Sequence, residues 1–366
     1  MKNYFEKYTW DFMLNRNPMC EYHIPTYHKI LCKNPPQFLN KYIALPTMQR
    51  LKGIGLLCGT DWTSLYHNRL SYSRLDHSIG VALITWNFTH DKKQTLAALF
   101  HDISTPVFSH VSDFRKGDAL TQTATEEPNA ELLKQDKVLQ ELLKKDGIYL
   151  SEINDYHKYP IADNEIPQLS ADRLEYMFPS GMALDGSWTM EEIERCYNDI
   201  VILKNENNID ELGFKTEAIA LDYCRHFCLI GHILQLNENK LTLQLLGKVM
   251  NLAVEKKVLS ENDFMTLSEK EIIQKLEAMP VCAELSELNA LYKTFRTMKQ
   301  VKHTAEPLEN HFCVSLKVKQ RYINPLVKTK DGKIKRIADC SLEAQKIIND
   351  FLTYEDTAYG CVKIEK

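Results

Sequence analysis

Arg74-Leu75-Asp76-His77-Ser78-Ile79-Gly80-Val81, then Leu99-Phe100-His101-Asp102-Ile103, then Ser170-Ala171-Asp172-Arg173: these stretches decide the fold. Each sets a histidine or an aspartate in, or at the end of, an apolar segment with helical spacing. Two imidazoles and two carboxylates, from His77, His101, Asp102 and Asp172, make a mixed hard and borderline donor set. That set suits one divalent Mn, Fe, Co, Ni, Zn or Mg ion per chain, whereas a closed structural zinc site favours thiolates. Singly, the residues have plainer explanations. A lone histidine on a helix is usually a packed or surface side chain, and an aspartate near a helix start interacts favourably with the helix dipole. The set, with its flanks, points to chemistry.

Outward from these motifs, residues 73–89 read as a helix rich in Leu, Ile, Val and Ala. Asp91, with Gln94 three residues on, resembles a capping box and opens a helix through Leu96, Ala97, Leu99 and Phe100 that must stop near Pro106. Pro46 suits the first turn of a helix over 48–57. Ser170 caps a short helix through Tyr176 and Met177, with Pro179 and Gly181 expected to end it. Residues 1–40, broken by Pro18, Pro25, Pro35 and Pro36, read as an irregular N-terminal arm. Residues 41–186 form the metal-bearing helical core, and 187–305 continue in helices, among them 219–236, 241–253 and a run led by Ser268 with Glu271 completing a capping box. Over 306–366 the pattern changes. Segments 312–318, 332–337 and 359–364 alternate as short antiparallel strands, with a helix at 341–352. The expectation is a mostly α protein: an orthogonal helical bundle carrying the metal, with a smaller C-terminal α/β lobe.

Composition narrows the classes. The chain has 366 residues, enough for one large domain or two ordinary ones. Its 44% hydrophobic and 26% charged residues are ordinary for a globular protein. A net charge of −4 provides no basic field for a nucleic-acid backbone. The ten cysteines are scattered without a CxxC pair, so reduced thiols and a cytoplasmic setting are expected. The opening residues lack the apolar region of a signal peptide, and no apolar run nears the ~18 residues of a membrane span.

The three motifs resemble the HD-domain metal-dependent phosphohydrolases, most closely the deoxynucleoside triphosphate triphosphohydrolase branch. That branch has an RxxHSxGV helix, an RL-containing helix before it (here Arg50-Leu51-Lys52-Gly53-Ile54), and an HDxxHxPFSHxxD segment. The last reads here His101-Asp102-Ile103-Ser104-Thr105-Pro106-Val107-Phe108-Ser109-His110-Val111-Ser112-Asp113. The match runs with gaps over roughly residues 45–180.

The resemblance implies metal ligation by His77, His101, Asp102 and Asp172. Arg74, Tyr176, Arg173 and His226 fall to the substrate, and His110 and Asp113 join Asp102 in the catalytic group. His110, oriented by Asp113, would protonate a leaving oxygen. The implied substrate is a nucleotide tri- or monophosphate, and such enzymes often assemble as dimers or larger homo-oligomers. The chain departs from the branch at Thr105, where the branch has histidine. It has only Glu126 and Glu127 in the stretch of a His-Glu pair, and Ile230 replaces a tyrosine between His226 and His232. Two other readings stand beside this one: a catalytically altered nucleotide-binding regulator, and a hydrolase of some non-nucleotide phosphate ester.

Overall fold

The computed structural model describes residues 3–10, 24–120 and 129–365; Glu126 and Glu127 lie outside them. The principal helices are α1 (Ile24–Leu31), α2 (Arg74–Thr89), α3 (Lys92–Phe100), α4 (Val111–Arg115), α5 (Ala171–Leu184), α6 (Met190–Asn198), α7 (Glu217–Gln235), α8 (Asn237–Glu255), α9 (Glu269–Glu277), α10 (Ser286–Thr297) and α11 (Leu342–Leu352). The protein is mostly helical, as expected. No helix among the described residues is long and apolar enough to cross a membrane.

Local chemistry explains the helix starts. The Ser73 hydroxyl accepts the Asp76 N–H, and the Asp76 carboxylate accepts the Ser73 N–H, a complete capping box at the head of α2. Ser268 and Glu271 do the same for α9. Asp91 accepts the N–H groups of Lys93 and Gln94. The helix expected over 48–57 is shorter, a turn at Pro46–Gln49 running into a 3-10 turn at Arg50–Gly53.

Two apolar cores meet at the motif after α3. Helices α2, α3, α5 and α7 pack round the first, which takes in Ile103. The second gathers α8, α9 and α10 and takes in Val107, Phe108, Val111 and Phe114. The turn that follows His101-Asp102 is therefore wedged between two packed bodies, and both constrain it.

Several expectations need correction. The N-terminal stretch read as irregular contains α1, which packs on α2. Helix α5 runs through Pro179 and Gly181 to Leu184. Pro179 cannot donate to the carbonyl four residues back, but that Glu175 carbonyl accepts the Tyr27 hydroxyl at 3.2 Å instead. Gly181 is a packing glycine, since a Cβ there would lie 2.4 Å from the Trp188 ring.

The region read as continuously helical after Met190 contains a hairpin, β1 (Ile200–Lys204) and β2 (Asp210–Phe214). Its apolar run Ile200-Val201-Ile202-Leu203 is ambiguous between helix and strand. The hairpin continues in parallel through β2 into β5 (Leu326–Lys328), with β6 (Ile334–Arg336) antiparallel at the far edge. A second, antiparallel sheet has the order β3 (Lys302–Thr304), β7 (Tyr359–Lys363), β4 (His311–Val314). The last sixty residues thus divide between two sheets. Cys313 and Cys361 sit opposite each other in the β4–β7 register and are joined as a disulfide, contrary to the expectation of reduced thiols throughout.

The second sheet is tied to α8 by His303. Its Nδ1 lies 3.0 Å from Asp356 and its Nε2 2.9 Å from Glu238, and Asp356 also accepts the Asn237 N–H at the head of α8. Hydrogen bonds to Asp356 and Glu238 hold the imidazolium pKa up to about 10. The stabilisation is therefore complete below about 6.5, the ordinary histidine value, and is lost as pH rises through about 10. The group is partly solvated, so the effect is modest. His303→Ala should lower Tm at pH 7 by on the order of 2 °C, and thermal melts should show the gap to the parent closing above pH 10.

Candidate metal centre

Helix α2 presents Arg74 and His77 from its first turns, α3 ends on His101, and α5 presents Asp172 beside its N-cap Ser170. Packing of α2 against both α3 and α5 brings the four expected ligands together. His77 Nε2 lies 3.2 Å from His101 Nε2, 3.1 Å from Asp172 Oδ1 and 3.8 Å from Asp102 Oδ2. His101 Nε2 lies 3.5 Å from Asp102 Oδ2 and 3.8 Å from Asp172 Oδ1. The tight trio is His77, His101 and Asp102, and Asp172 closes on it from the His77 side.

The hydrogen bonds fix which atoms face inward. His101 Nδ1 lies 2.7 Å from the Ala98 carbonyl, which can only accept, so Nδ1 carries the proton. His77 Nδ1 lies 2.5 Å from Glu175 Oε2, and the same logic applies. Each Nε2 then offers a lone pair toward two carboxylates. Donors held about 2.0–2.2 Å from a common ion stand about 3 Å apart when adjacent in an octahedron. The observed spacings match that with slight slack, so these residues fit a divalent cation.

Electrostatics agree. Burial opposes a charged His77, yet Asp172 and Glu175 raise its pKa to about 10 when only a proton can answer them. Burial likewise opposes an ionised Asp172, but His77 and His101 hold it down to about 2. Asp102 is kept well below the ordinary carboxylate range by Arg74, His101 and His77 despite its burial.

Around the ligands, each support is specific. Arg74 donates to Asp102 Oδ2 at 2.7 Å and to the Ser109 hydroxyl at 3.0 Å. Its guanidinium, expected beside substrate, therefore orients Asp102. Thr105 donates to Asp102 Oδ1 at 3.0 Å. Arg50 grips the Ile103 and Thr105 carbonyls at 2.9 and 2.8 Å, and Asn129 donates to the His101 carbonyl. Phe108 and Ser109 both adopt positive φ, 60° and 51°. Two successive non-glycine residues in that region are strained, and here the strain delivers His110 to the site.

His110 Nδ1 sits 2.9 Å from Asp113 Oδ2, and Asp113 is fully buried. Burial, with the nearby Arg321 and Arg74, depresses the His110 pKa against the pull of Asp113. The ring is then neutral as it stands, an acceptor at Nε2. A bound phosphate among these cations would raise its pKa again.

The structure sets Arg173 and His226 apart from this cage. Arg173 donates to the Gln168 carbonyl at 2.8 Å and to Asn164, bracing the loop before α5. His226 packs on Trp188 with ring centroids 4.2 Å apart, near Asp222 and Asp185. Tyr176 is half-buried against Phe227, and its hydroxyl has no hydrogen-bond partner among the described residues.

Three site residues escaped the sequence reading of roles. Glu175 lies three positions after Asp172, a spacing that puts both on one helix face. Cys58 lies near Arg74 and His110, and burial raises its thiol pKa. Arg321 acts electrostatically on Cys58, His110 and Tyr176. Gly80 explains how Glu175 fits: a Cβ there would lie 2.4 Å from Glu175 Oε1.

Known proteins share this architecture. No family model matches the chain. It is 28% identical over 153 residues to the metal-dependent phosphohydrolase cns2 of Cordyceps militaris, covering 42% of this chain and 43% of that protein. It is 29% identical over 142 residues to the uncharacterized protein YdhJ of Bacillus subtilis, covering 38% of this chain and 41% of the other. The chain thus spans about two-fifths of the length of the curated relatives it matches. Among solved structures, a phosphohydrolase from Bacteroides thetaiotaomicron superposes with a TM-score of 0.59 at 16% identity, over 91% of this chain and 97% of that one. A hypothetical protein from Aquifex aeolicus gives 0.60 at 14% identity, over 90% and 93%. These likenesses show the fold, and they support the resemblance to HD-type phosphohydrolases.

Gly80→Ala tests the support behind His77. The added methyl must displace Glu175, so metal affinity should fall about 10- to 100-fold with about 1–3 kcal/mol of overpacking strain. Metal analysis and denaturant melts would check both.

Proposed function

We propose that this chain is a metal-dependent phosphohydrolase whose substrate is a nucleotide, a tri- or monophosphate. One observation carries the reading: two inward Nε2 lone pairs and two carboxylates converge, and no proton between them can satisfy all four. The match to a protein named metal-dependent phosphohydrolase supports the reaction class. The motifs shared with the deoxynucleoside triphosphate triphosphohydrolases support a nucleotide.

His77, His101, Asp102 and Asp172 would hold the ion, which when bound supplies Lewis-acid polarisation and activation of water. The protein's own residues do the rest. Arg74 and Thr105 fix both oxygens of Asp102. Arg321, which acts on both His110 and Tyr176, and the Tyr176 hydroxyl, without a partner among the described residues, would offer a cation and a hydrogen-bond donor suited to phosphoryl oxygens. His110, held by Asp113 through Nδ1, exchanges a proton at Nε2, accepting it when neutral and returning it to the leaving oxygen once substrate has raised its pKa.

A second reading, a nucleotide-binding regulator, is favoured by Thr105. Its hydroxyl is committed to Asp102 at 3.0 Å, where the related branch has an imidazole able to carry protons.

The test is product release from dNTPs, NTPs and monophosphates with added Mn(II). Asp102→Ala should lose both metal and turnover. His110→Ala should keep one metal per chain while kcat drops about 10²- to 10⁴-fold. A parent that binds nucleotide and metal but releases nothing would favour the regulator.

A further inference from the structure

Behind His77 the hydrogen bonds continue past Glu175. Glu175 Oε2 takes the His77 proton at 2.5 Å, and Oε1 accepts the Tyr72 hydroxyl at 2.6 Å. The Tyr72 oxygen lies 3.1 Å from His28 Nε2, which is also 3.1 Å from the Asp76 carbonyl. That carbonyl can only accept, so His28 Nε2 carries a proton and shares it with Tyr72. All donors therefore point one way: from His28 to Tyr72 to Glu175 on one side, and from His77 to Glu175 on the other. Glu175 is fully buried, Tyr72 nearly so, and His28 half-buried on α1. The same helix supplies Tyr27, whose hydroxyl holds the Glu175 carbonyl that Pro179 leaves without its helical partner.

We propose that Tyr72 and His28 are positioning residues of the metal centre, holding Glu175 oriented behind His77. Helix α1 thereby becomes a working part of the site. The proposal rests on the reading that the centre holds a divalent cation, and it goes beyond it by assigning residues outside the matched motifs. The physical reason is the second carboxylate oxygen. A glutamate that backs a histidine ligand orients its Nε2 donor only while it is itself fixed. With Oε1 left bare in a dry interior, Glu175 would turn away, because an unsatisfied buried oxygen is costly. Gly80 leaves it no slack on the α2 side.

The test uses the full chain and Mn(II) as the probe, with affinity read by chelator competition. Tyr72→Phe keeps the ring and removes one oxygen. It should weaken Mn(II) binding about 10- to 100-fold, with the metal-free protein still folded and melting cooperatively. His28→Leu should weaken binding less, His28→Gln should restore it through its amide N–H, and His28→Leu should add nothing in the Tyr72→Phe background. The last two readouts separate positioning from mere packing. If the parent binds Mn(II) and Tyr72→Phe binds it equally tightly, the proposal fails alone. If the parent binds no Mn(II), the metal reading fails and the proposal falls with it.

Discussion

Four metal-binding atoms that face one another, with no single proton able to satisfy them all, are the constraint on which the rest of the structure depends. Two imidazoles turned by Ala98 and Glu175, and two carboxylates, would repel unless a cation sits among them. Arg74 answers Asp102 from one side only. The fold supplies what such a cluster needs: helices α2, α3 and α5 rigid enough to hold donor atoms 3.1–3.8 Å apart, and a second layer that points each donor inward. Precision of this kind comes from packed elements whose own side chains are locked.

The strained turn after His101 shows how packing becomes chemistry. Its first half is anchored in one apolar core through Ile103 and its second half in the other through Val107 and Phe108. The Val107 N–H also bonds to the Phe264 carbonyl at 2.8 Å. Held at both ends, the chain accepts positive φ at Phe108 and Ser109 and turns His110 toward Arg74 and Arg321. Glu269, buried at the head of α9, steadies the facing loop by accepting the Gly55 N–H and the Trp62 indole N–H at 2.9 and 2.7 Å. Burial pushes its pKa up to about 7. Distant helices thus contribute to the geometry of the centre without touching a ligand.

Much of this was legible in the residues. The caps at Asp91, Ser170 and Ser268 are local devices, and local devices read well from sequence. The four candidate ligands were legible because each lies in or closes an apolar helical segment, and the structure brings all four together. What was not legible depends on long-range contacts. Nothing local says that Tyr27 will satisfy the carbonyl freed by Pro179, so α5 was expected to stop early. The run at Ile200 has no period that separates strand from helix, and only its partners across β2 and β5 decide it. Arg173 and His226 carry the right chemistry for a substrate, but the faces they occupy are set by packing on Asn164 and Trp188. Glu175 had a signal, its spacing from Asp172, whose meaning appears only when Gly80 is seen opposite it.

The most direct measurement is turnover across metal removal and return. Protein stripped with chelator and dialysed should release no phosphate product from a nucleotide panel, and activity should return with added Mn(II) and saturate at one equivalent per chain. Undiminished turnover in the stripped protein, or recovery that needs several equivalents, would contradict a single metal centre built on His77, His101, Asp102 and Asp172.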